Sequence, residues 1–327
     1  MDEICVIIPI YNGEQYIDRC LKSIFEQTYK NIKVVCINDG SNDESLEILE
    51  SYKKKIVLIN QENQGVSAAR NKGLDYVKDL KEDCLISFVD IDDYLDKNYF
   101  ETLLQMLNDS NCDISCCSFV YQKKDKSKPY IQIKNDQKLS CFLATKTLIE
   151  DKTIQSHSHC KLYKNSVWTN VRFPVGIGWM EDQATIFKTF MNAKNGVFVS
   201  NYCGYHYWQE GTSACRSGIT NKKILSTLYG YKVPFDNNFS EFSFDEQKLL
   251  KKSSLDAFAF TYLSVIPWIN KKTLSSEEKE EFLKYKIFVE TNKIIKKCTP
   301  FCKKDKYKKL AYLFFRPFYN LIYKLFA

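Results

Sequence analysis

Three carboxylates fall within four positions at Asp90, Asp92 and Asp93, with only Ile91 between them. They follow the apolar run Cys84-Leu85-Ile86-Ser87-Phe88-Val89. The length and β-branched content of that run predict a strand buried on both faces, so the acids stand where the strand leaves its sheet. Like charges this close raise one another's pKa unless a positive group sits among them. A hard divalent cation, Mn2+ or Mg2+, is the counter-charge that oxygen ligands favour, and such ions bridge to a substrate's phosphates. The spacing therefore points to a metal-diphosphate site. It is also compatible with an acidic turn in which Asp92 and Asp93 open the bend and Asp96 caps a helix starting near Asn98.

The elements that must carry this cluster alternate in type. Ile4–Ile10 reads as a strand, and 15–27 as a helix burying Tyr16, Ile17, Cys20, Leu21 and Ile24 at helical spacing. Ile32–Ile37 is the next strand, Ser45–Tyr52 a helix, Ile56–Ile59 a short strand and Val66–Val77 a helix, before the run at 84–89. Such alternation predicts an α/β fold with a mostly parallel sheet and helices on both faces, which binds ligands beyond the carboxyl ends of its strands. The residues at those ends are polar: Tyr11-Asn12-Gly13-Glu14, Asn38-Asp39-Gly40-Ser41, the stretch from Asn60 to Asn63, and the acid cluster. They offer acceptors for a base and ribose beside carboxylates for a metal.

Neither a G-x-G-x-x-G fingerprint nor a G-x-x-x-x-G-K-S/T loop is present, which counts against a dinucleotide enzyme and a P-loop NTPase. Phosphates then need the metal and a cation such as Arg70. Beyond Asn111 the alternation loosens: 113–121 and 130–134 read as strands, 143–150 and 182–192 as helices, and 196–201 as a strand. The Gly- and Pro-rich stretch from Arg172 to Trp179 reads as a shaped loop leading into Glu181-Asp182.

The chain has 327 residues, enough for one large domain or two. Its thirteen cysteines are scattered and no secretory signal precedes Ile4, so reduced thiols in a cytosol are expected. Ser156-His157-Ser158-His159-Cys160 and Cys298-Thr299-Pro300-Phe301-Cys302 contain soft-metal ligands, but neither has a matching half at zinc-site spacing. From Lys271 onward there are fifteen Lys and Arg against six Asp and Glu, a charge of +9 that leaves −2 for the rest of the chain's +7.

The segments IIPIYNGEQYIDRCLKSIFEQTYKNIKVVCINDGSNDES, NQGVSAARNKGLDY and ISFVDIDDYLD resemble the nucleotide-sugar half of a family 2 glycosyltransferase with the GT-A fold. CKLYKNSV, RFPVGIGWMEDQATIFK and YHYWQEGTS resemble the acceptor half of the same bacterial surface-polysaccharide enzymes. The resemblance covers roughly 1–215. It implies a GT-A domain over 1–218, with the nucleotide-sugar half in 1–110 and the acceptor half in 111–218, followed by a basic helical region over 219–327. It further implies that Pro9, Tyr11 and Asp39 line the base and ribose, and that Arg70 approaches the diphosphate. Asp90 and Asp92 become the acids of the D-x-D motif, with Asp92 the direct metal ligand, Asp90 also toward the ribose and Asp93 a cap. With Asn63 on the same rim, these residues make up the expected nucleotide-sugar site.

Glu181-Asp182 matches the family's acid pair before a helix. The resemblance implies Asp182 as general base and Glu181 as its support in an inverting displacement, although two acids also simply favour a helix N-terminus through its dipole. Where many relatives carry arginine, this chain has Trp208, which removes a phosphate contact. His206 between Tyr205 and Tyr207 reads more readily as packed than as part of the site.

Near the C-terminus, Lys308, Tyr312, Arg316, Asn320 and Lys324 recur every four residues within an aromatic and aliphatic surround, the pattern of a helix lying in a membrane interface. It is not a span, because Arg316, Pro317, Asn320 and Lys324 interrupt the apolar run. Lys293, Lys296, Lys297, Lys303, Lys304, Lys306 and Lys309 add attraction for anionic lipid. The alternative is a helix packed on its own protein or on a second subunit, so an oligomer stays open. No nucleic-acid-reading module accompanies the charge.

The expected activity is hexosyl or N-acetylhexosaminyl transfer from a UDP-sugar to a lipid-linked glycan at the cytosolic face of the membrane. A D-x-D phosphatase or phosphotransferase is the rival enzyme class. It places its motif on the first strand and favours Thr or Val where Tyr94 stands. A non-catalytic glycan-assembly subunit is the third reading.

Overall fold

The computed structural model describes residues 2–80, 84–131, 133–151, 154–211, 218–270, 272–300, 303–314 and 319. They divide into two compact units. One comprises 1–148, 152–177 and 185–211, and the other comprises 149–151, 178–184 and 212–327.

The first unit begins with β1 (Ile4–Ile10), α1 (Glu14–Phe25), β2 (Ile32–Asp39), α2 (Ser45–Ser51), β3 (Val57–Gln61), α3 (Val66–Asp79) and β4 (Leu85–Phe88). There follow β5 (Tyr94–Leu95), α4 (Tyr99–Ser110), β6 (Ile114–Cys116), β7 (Phe119–Gln122), β8 (Ser127–Tyr130), β9 (Gln137–Leu139), α5 (Cys141–Ile149), β10 (Lys161–Lys164), α6 (Glu181–Asn192), β11 (Val197–Val199) and β12 (Tyr205–Trp208). Eight strands form one sheet in the order β3-β2-β1-β4-β10-β6-β11-β9. From β3 to β4 every pairing is parallel, whereas β10 runs antiparallel to both β4 and β6. A second sheet, β5-β12-β7-β8, stands beside it.

All seven residues of β1 are buried, as a central strand covered on both faces requires. α1 turns Ile17, Cys20, Leu21 and Ile24 onto the sheet as the spacing predicts, while Tyr16, expected on the same face, is only partly buried. Several expectations are corrected beyond Asn111. The apolar stretch 113–121 is two strands, β6 and β7, one in each sheet, and the strand expected at 130–134 lies earlier, at β8. Asp96 does not cap α4 through its side chain: Asn98 is the N-cap, and the Asp96 carboxylate is bound by His206 instead.

The second unit holds α7 (Asn221–Asp236), α8 (Phe244–Val265), α9 (Ser276–Thr291), α10 (Ile294–Lys297) and α11 (Lys303–Phe314). Phe258, Leu263, Ile294 and Tyr312 belong to its own apolar core. Capping boxes start α8 at Ser243 with Glu246 and α9 at Ser275 with Glu278. Between α9 and α10 the helical course breaks at Lys293, which adopts φ +52. No helix among the described residues is long and apolar enough to cross a membrane.

The basic stripe of the tail is partly turned inward. Lys308 Nζ donates to Ser264 Oγ (2.8 Å), and Tyr312 is 8% exposed. Tyr307, Leu310 and Leu313 form the exposed apolar positions of α11 instead. Arg316, Pro317, Asn320 and Lys324 lie outside the described residues, as do Thr212, Ser213 and Cys302.

Candidate functional site

β1 ends at Ile10, and the next residues are braced against the loop after β2. Asn12 N–H donates to Ser41 Oγ (3.1 Å), Gly13 N–H to Ser45 Oγ (2.9 Å), and Asn42 N–H to Asn12 Oδ1 (2.8 Å). This holds Tyr11 half-exposed on the rim, at 49%. Pro9 is buried inside β1, paired in register with Ile37.

Asp39 closes β2 and is almost fully buried. Its carboxylate accepts from Gln61 Nε2 (2.7 Å), Gln64 N–H (2.9 Å) and Gly65 N–H (2.8 Å), so it organises the loop that starts α3. Gly40 has φ +69, and a Cβ there would lie 2.7 Å from the backbone nitrogen of Asn63. Only glycine lets the two rim loops approach this closely. Asn63 is itself exposed.

The acid cluster leaves β4 as a turn closed by Asp93 N–H to Asp90 C=O (3.0 Å). Its three carboxylates have separate surroundings. Asp90, about a quarter exposed, accepts from Arg70 Nη2 (3.0 Å), and the Arg70 guanidinium lies 5.4 Å from the Phe173 ring centroid. Arg70 is thus held on Asp90, nearly buried. Asn71, its neighbour on α3, clamps the same loop: its side chain exchanges two hydrogen bonds with the Phe173 backbone, each 2.8 Å.

Asp93 is fully buried. It accepts from Tyr205 Oη (2.6 Å) and Trp208 N–H (2.8 Å), which ties the turn to β12. Burial pushes its pKa well above the usual carboxylate range, the charges of Asp92 and Asp90 push the same way, and the Tyr205 and Trp208 donors only partly offset this. The crowding of carboxyl groups expected from the spacing is therefore present in the fold.

Arg19 was not singled out by sequence reading. Its Nη2 donates to the backbone carbonyl of Asp92 (2.6 Å), and its guanidinium carbon lies 4.1 Å from the Trp208 ring centroid, 5.2 Å from Tyr94 and 5.6 Å from Tyr16. Each such contact is worth about 0.5–2 kcal/mol. Where the motif reading finds an arginine missing at Trp208, the fold places one from α1 directly over that ring. Arg19 stands one helical turn from Tyr16, but its other partners are more than seventy residues away, so no local pattern marks it.

Beneath the turn, His159 stacks on Tyr205 (4.5 Å between centroids) and on His157 (4.7 Å). Burial holds its pKa well below the ordinary histidine value, with His157, Lys161 and Arg70 acting in the same sense, which favours the neutral ring. The buried Lys161 ammonium donates to the carbonyls of Gln155 (3.0 Å), His157 (2.5 Å) and His159 (3.4 Å) and so fixes this segment. His206 packs flat on Tyr94 (4.4 Å) and meets Asp96 Oδ1 at 2.8 Å.

The donor chemistry suits a hard cation. Asp90, Asp93 and His159 bring ligand atoms within 4.8 Å of one another, a group able to hold a metal ion. Both oxygens of Asp93 already accept protein hydrogen bonds, whereas Asp90 and Asp92 are the partly exposed acids of the turn.

Glu181 and Asp182 form the first turn of α6, whose residues up to Ala184 belong to the second unit and the rest to the first. Met180, just before them, has φ +61.

The family model for glycosyl transferase family 2 matches residues 5–176. Among curated proteins, the chain is 35% identical over 189 residues to the glycosyltransferase GlyA of Streptococcus pneumoniae serotype 4, covering 54% of this chain and 26% of that protein. It is 31% identical over 217 residues to the poly(ribitol-phosphate) beta-glucosyltransferase of Bacillus spizizenii, covering 63% of this chain and 32% of that protein. The chain thus spans about a quarter to a third of the length of these relatives. Among solved structures, S. aureus TarS 1–349 in complex with UDP-GlcNAc superposes with a TM-score of 0.67 at 19% identity, over 91% of this chain and 82% of that one. At that identity the likeness is one of fold.

Proposed function

This chain belongs to glycosyl transferase family 2, and from that membership we propose that it moves a sugar from a UDP-linked donor to a hydroxyl of a lipid-linked surface glycan, with inversion at the anomeric carbon. The observation that carries the reading is the acid turn at the carboxyl end of β4, where Asp90, Asp92 and Asp93 crowd three carboxyl groups beside the braced rim loops of β1 and β2. Tyr11, Asp39 and Asn63 on that rim, together with Pro9, are the proposed base and ribose contacts. Arg70 acts on the diphosphate side through its pair with Asp90. Asp90 and Asp92 would hold Mn2+ or Mg2+.

Bound there, the cation supplies neutralisation of charge on the departing diphosphate. Asp182 takes the proton of the acceptor hydroxyl as its oxygen bonds to the anomeric carbon, and the bond to the diphosphate oxygen breaks with its electron pair on the nucleoside diphosphate. Glu181 orients Asp182. A panel of nucleotide sugars incubated with the protein is expected to show slow hydrolysis of one donor, abolished by EDTA and restored by Mn2+ or Mg2+. Phosphate release from generic phosphoesters with every nucleotide sugar intact would overturn the reading.

The C-terminal region is proposed to dock on the anionic cytosolic face of a membrane. The support is the basic charge after Lys271 together with the exposed Tyr307, Leu310 and Leu313 of α11. Flotation with anionic liposomes is expected for the intact chain and lost in the Tyr307→Asp, Leu310→Asp double variant. Equal flotation of the two would remove the membrane role.

A further inference from the structure

The segment 178–184, which carries Glu181 and Asp182, folds with the C-terminal helices and not with the sheet unit. We propose that α7 positions the base, with Gly230 as the contact through which it acts; the inference rests on the assignment of Asp182 above.

Met180 immediately precedes α6 and adopts φ +61, a left-handed conformation unfavourable for a residue with a side chain. Such a conformation persists only where the surroundings hold it. The Met180 carbonyl also accepts the first-turn hydrogen bond from Ala184 N–H (3.3 Å), so the placement of this residue sets the start of the helix that bears Asp182.

Gly230 lies buried in the interior of α7. A Cβ built on it would stand 2.9 Å from Met180 Cβ, 2.9 Å from the Met180 carbonyl oxygen and 3.5 Å from Gln183 Cβ. Glycine weakens a helix interior relative to alanine, and what calls for it here is the close approach of α7 to Met180. The atoms that an added methyl would meet are backbone and Cβ, which cannot swing aside as a side-chain end can. Other contacts join the same helices to the same short segments. The Lys223 ammonium of α7 lies 4.6 Å from the Trp179 ring centroid, Tyr231 Oη donates to Asp151 Oδ2 (3.3 Å), and Ser253 Oγ of α8 donates to Glu150 Oε1 (2.8 Å).

The contact thus makes the C-terminal helices a support for the base. A methyl at 230 must move Met180 and the first turn of α6. Misplacement of a reacting group by about 1 Å costs up to about 10²-fold in rate.

The test is steady-state transfer with Gly230→Ala, read beside metal-dependent UDP binding by calorimetry. The expected result is a kcat lower by roughly 10- to 100-fold, with UDP affinity and donor KM unchanged. Lys223→Met, a milder change in the same support, is expected to lower kcat in the same sense and by less, and it carries the test if Gly230→Ala does not fold. In an Asp182→Asn background Gly230→Ala should add no further loss, because the group it positions has already lost its function. Wild-type kcat in the folded variants, a loss of UDP binding in step with kcat, or an undiminished loss in the Asp182→Asn background would overturn the proposal. If Asp182→Asn alone turns over normally, the assignment of the base falls instead, which separates the two failures.

Discussion

Replacing Asp92 by alanine is expected to lower sugar transfer by at least about 10³-fold and to weaken metal-dependent UDP binding, while leaving the fold intact. The size follows from several kcal/mol of transition-state charge stabilisation at the diphosphate, at 1.36 kcal/mol for each factor of ten. The fold should survive because the turn has fixings that alanine keeps. Arg19 binds the Asp92 backbone carbonyl, which alanine keeps, and Asp93 carries the hydrogen bonds to Tyr205 and Trp208. Calorimetry with UDP and Mn2+, together with a thermal melt, separates the outcomes. Full turnover, or UDP affinity indifferent to the metal in both proteins, would remove Asp92 from the metal site. Lost activity with a collapsed melting transition would make it a structural residue.

The second large effect is expected at Asp182. Asp182→Asn keeps the shape of the side chain and removes the basic oxygen, and general-base catalysis is worth about 10²- to 10⁴-fold. kcat should fall by that factor with donor affinity unchanged, which distinguishes this variant from Asp92→Ala. Only a carboxylate can accept the proton, so the asparagine variant has no group to take it. An acid in the first turn of a helix contributes about 0.3–1 kcal/mol through the dipole, and a thermal melt read beside the kinetics separates such a loss of stability from a loss of catalysis. A variant that retains its rate would show that Asp182 serves only the start of α6.

Much of the fold over residues 1–110 was legible in the chain. β1 over Ile4–Ile10 and α3 from Val66 matched their local patterns because strand and helix periodicities are written in neighbouring residues. The rim residues could be named for the same reason, since each follows an apolar run. Beyond Asn111 the pattern fails because pairing there is remote. β12 joins β5, more than one hundred residues earlier, and β10 turns antiparallel between β4 and β6. An apolar run such as 113–121 cannot announce that it divides between two sheets.

Sequence by itself determined the family, the α/β alternation and the acids of the turn, since these rest on residue type and short spacing. Tertiary structure alone decided how those acids divide. Asp93 is sealed against Tyr205 and Trp208, Asp90 is held by Arg70, and the Asp92 carbonyl is gripped by Arg19 under the Trp208 ring. It alone placed Asp182 with the C-terminal helices, through the close approach of Gly230 to Met180. It also turned Lys308 and Tyr312 of the tail inward. The physical reason is the same in each case. Local chemistry is fixed by covalent neighbours, whereas burial, charge pairing and steric approach depend on groups that only folding brings together.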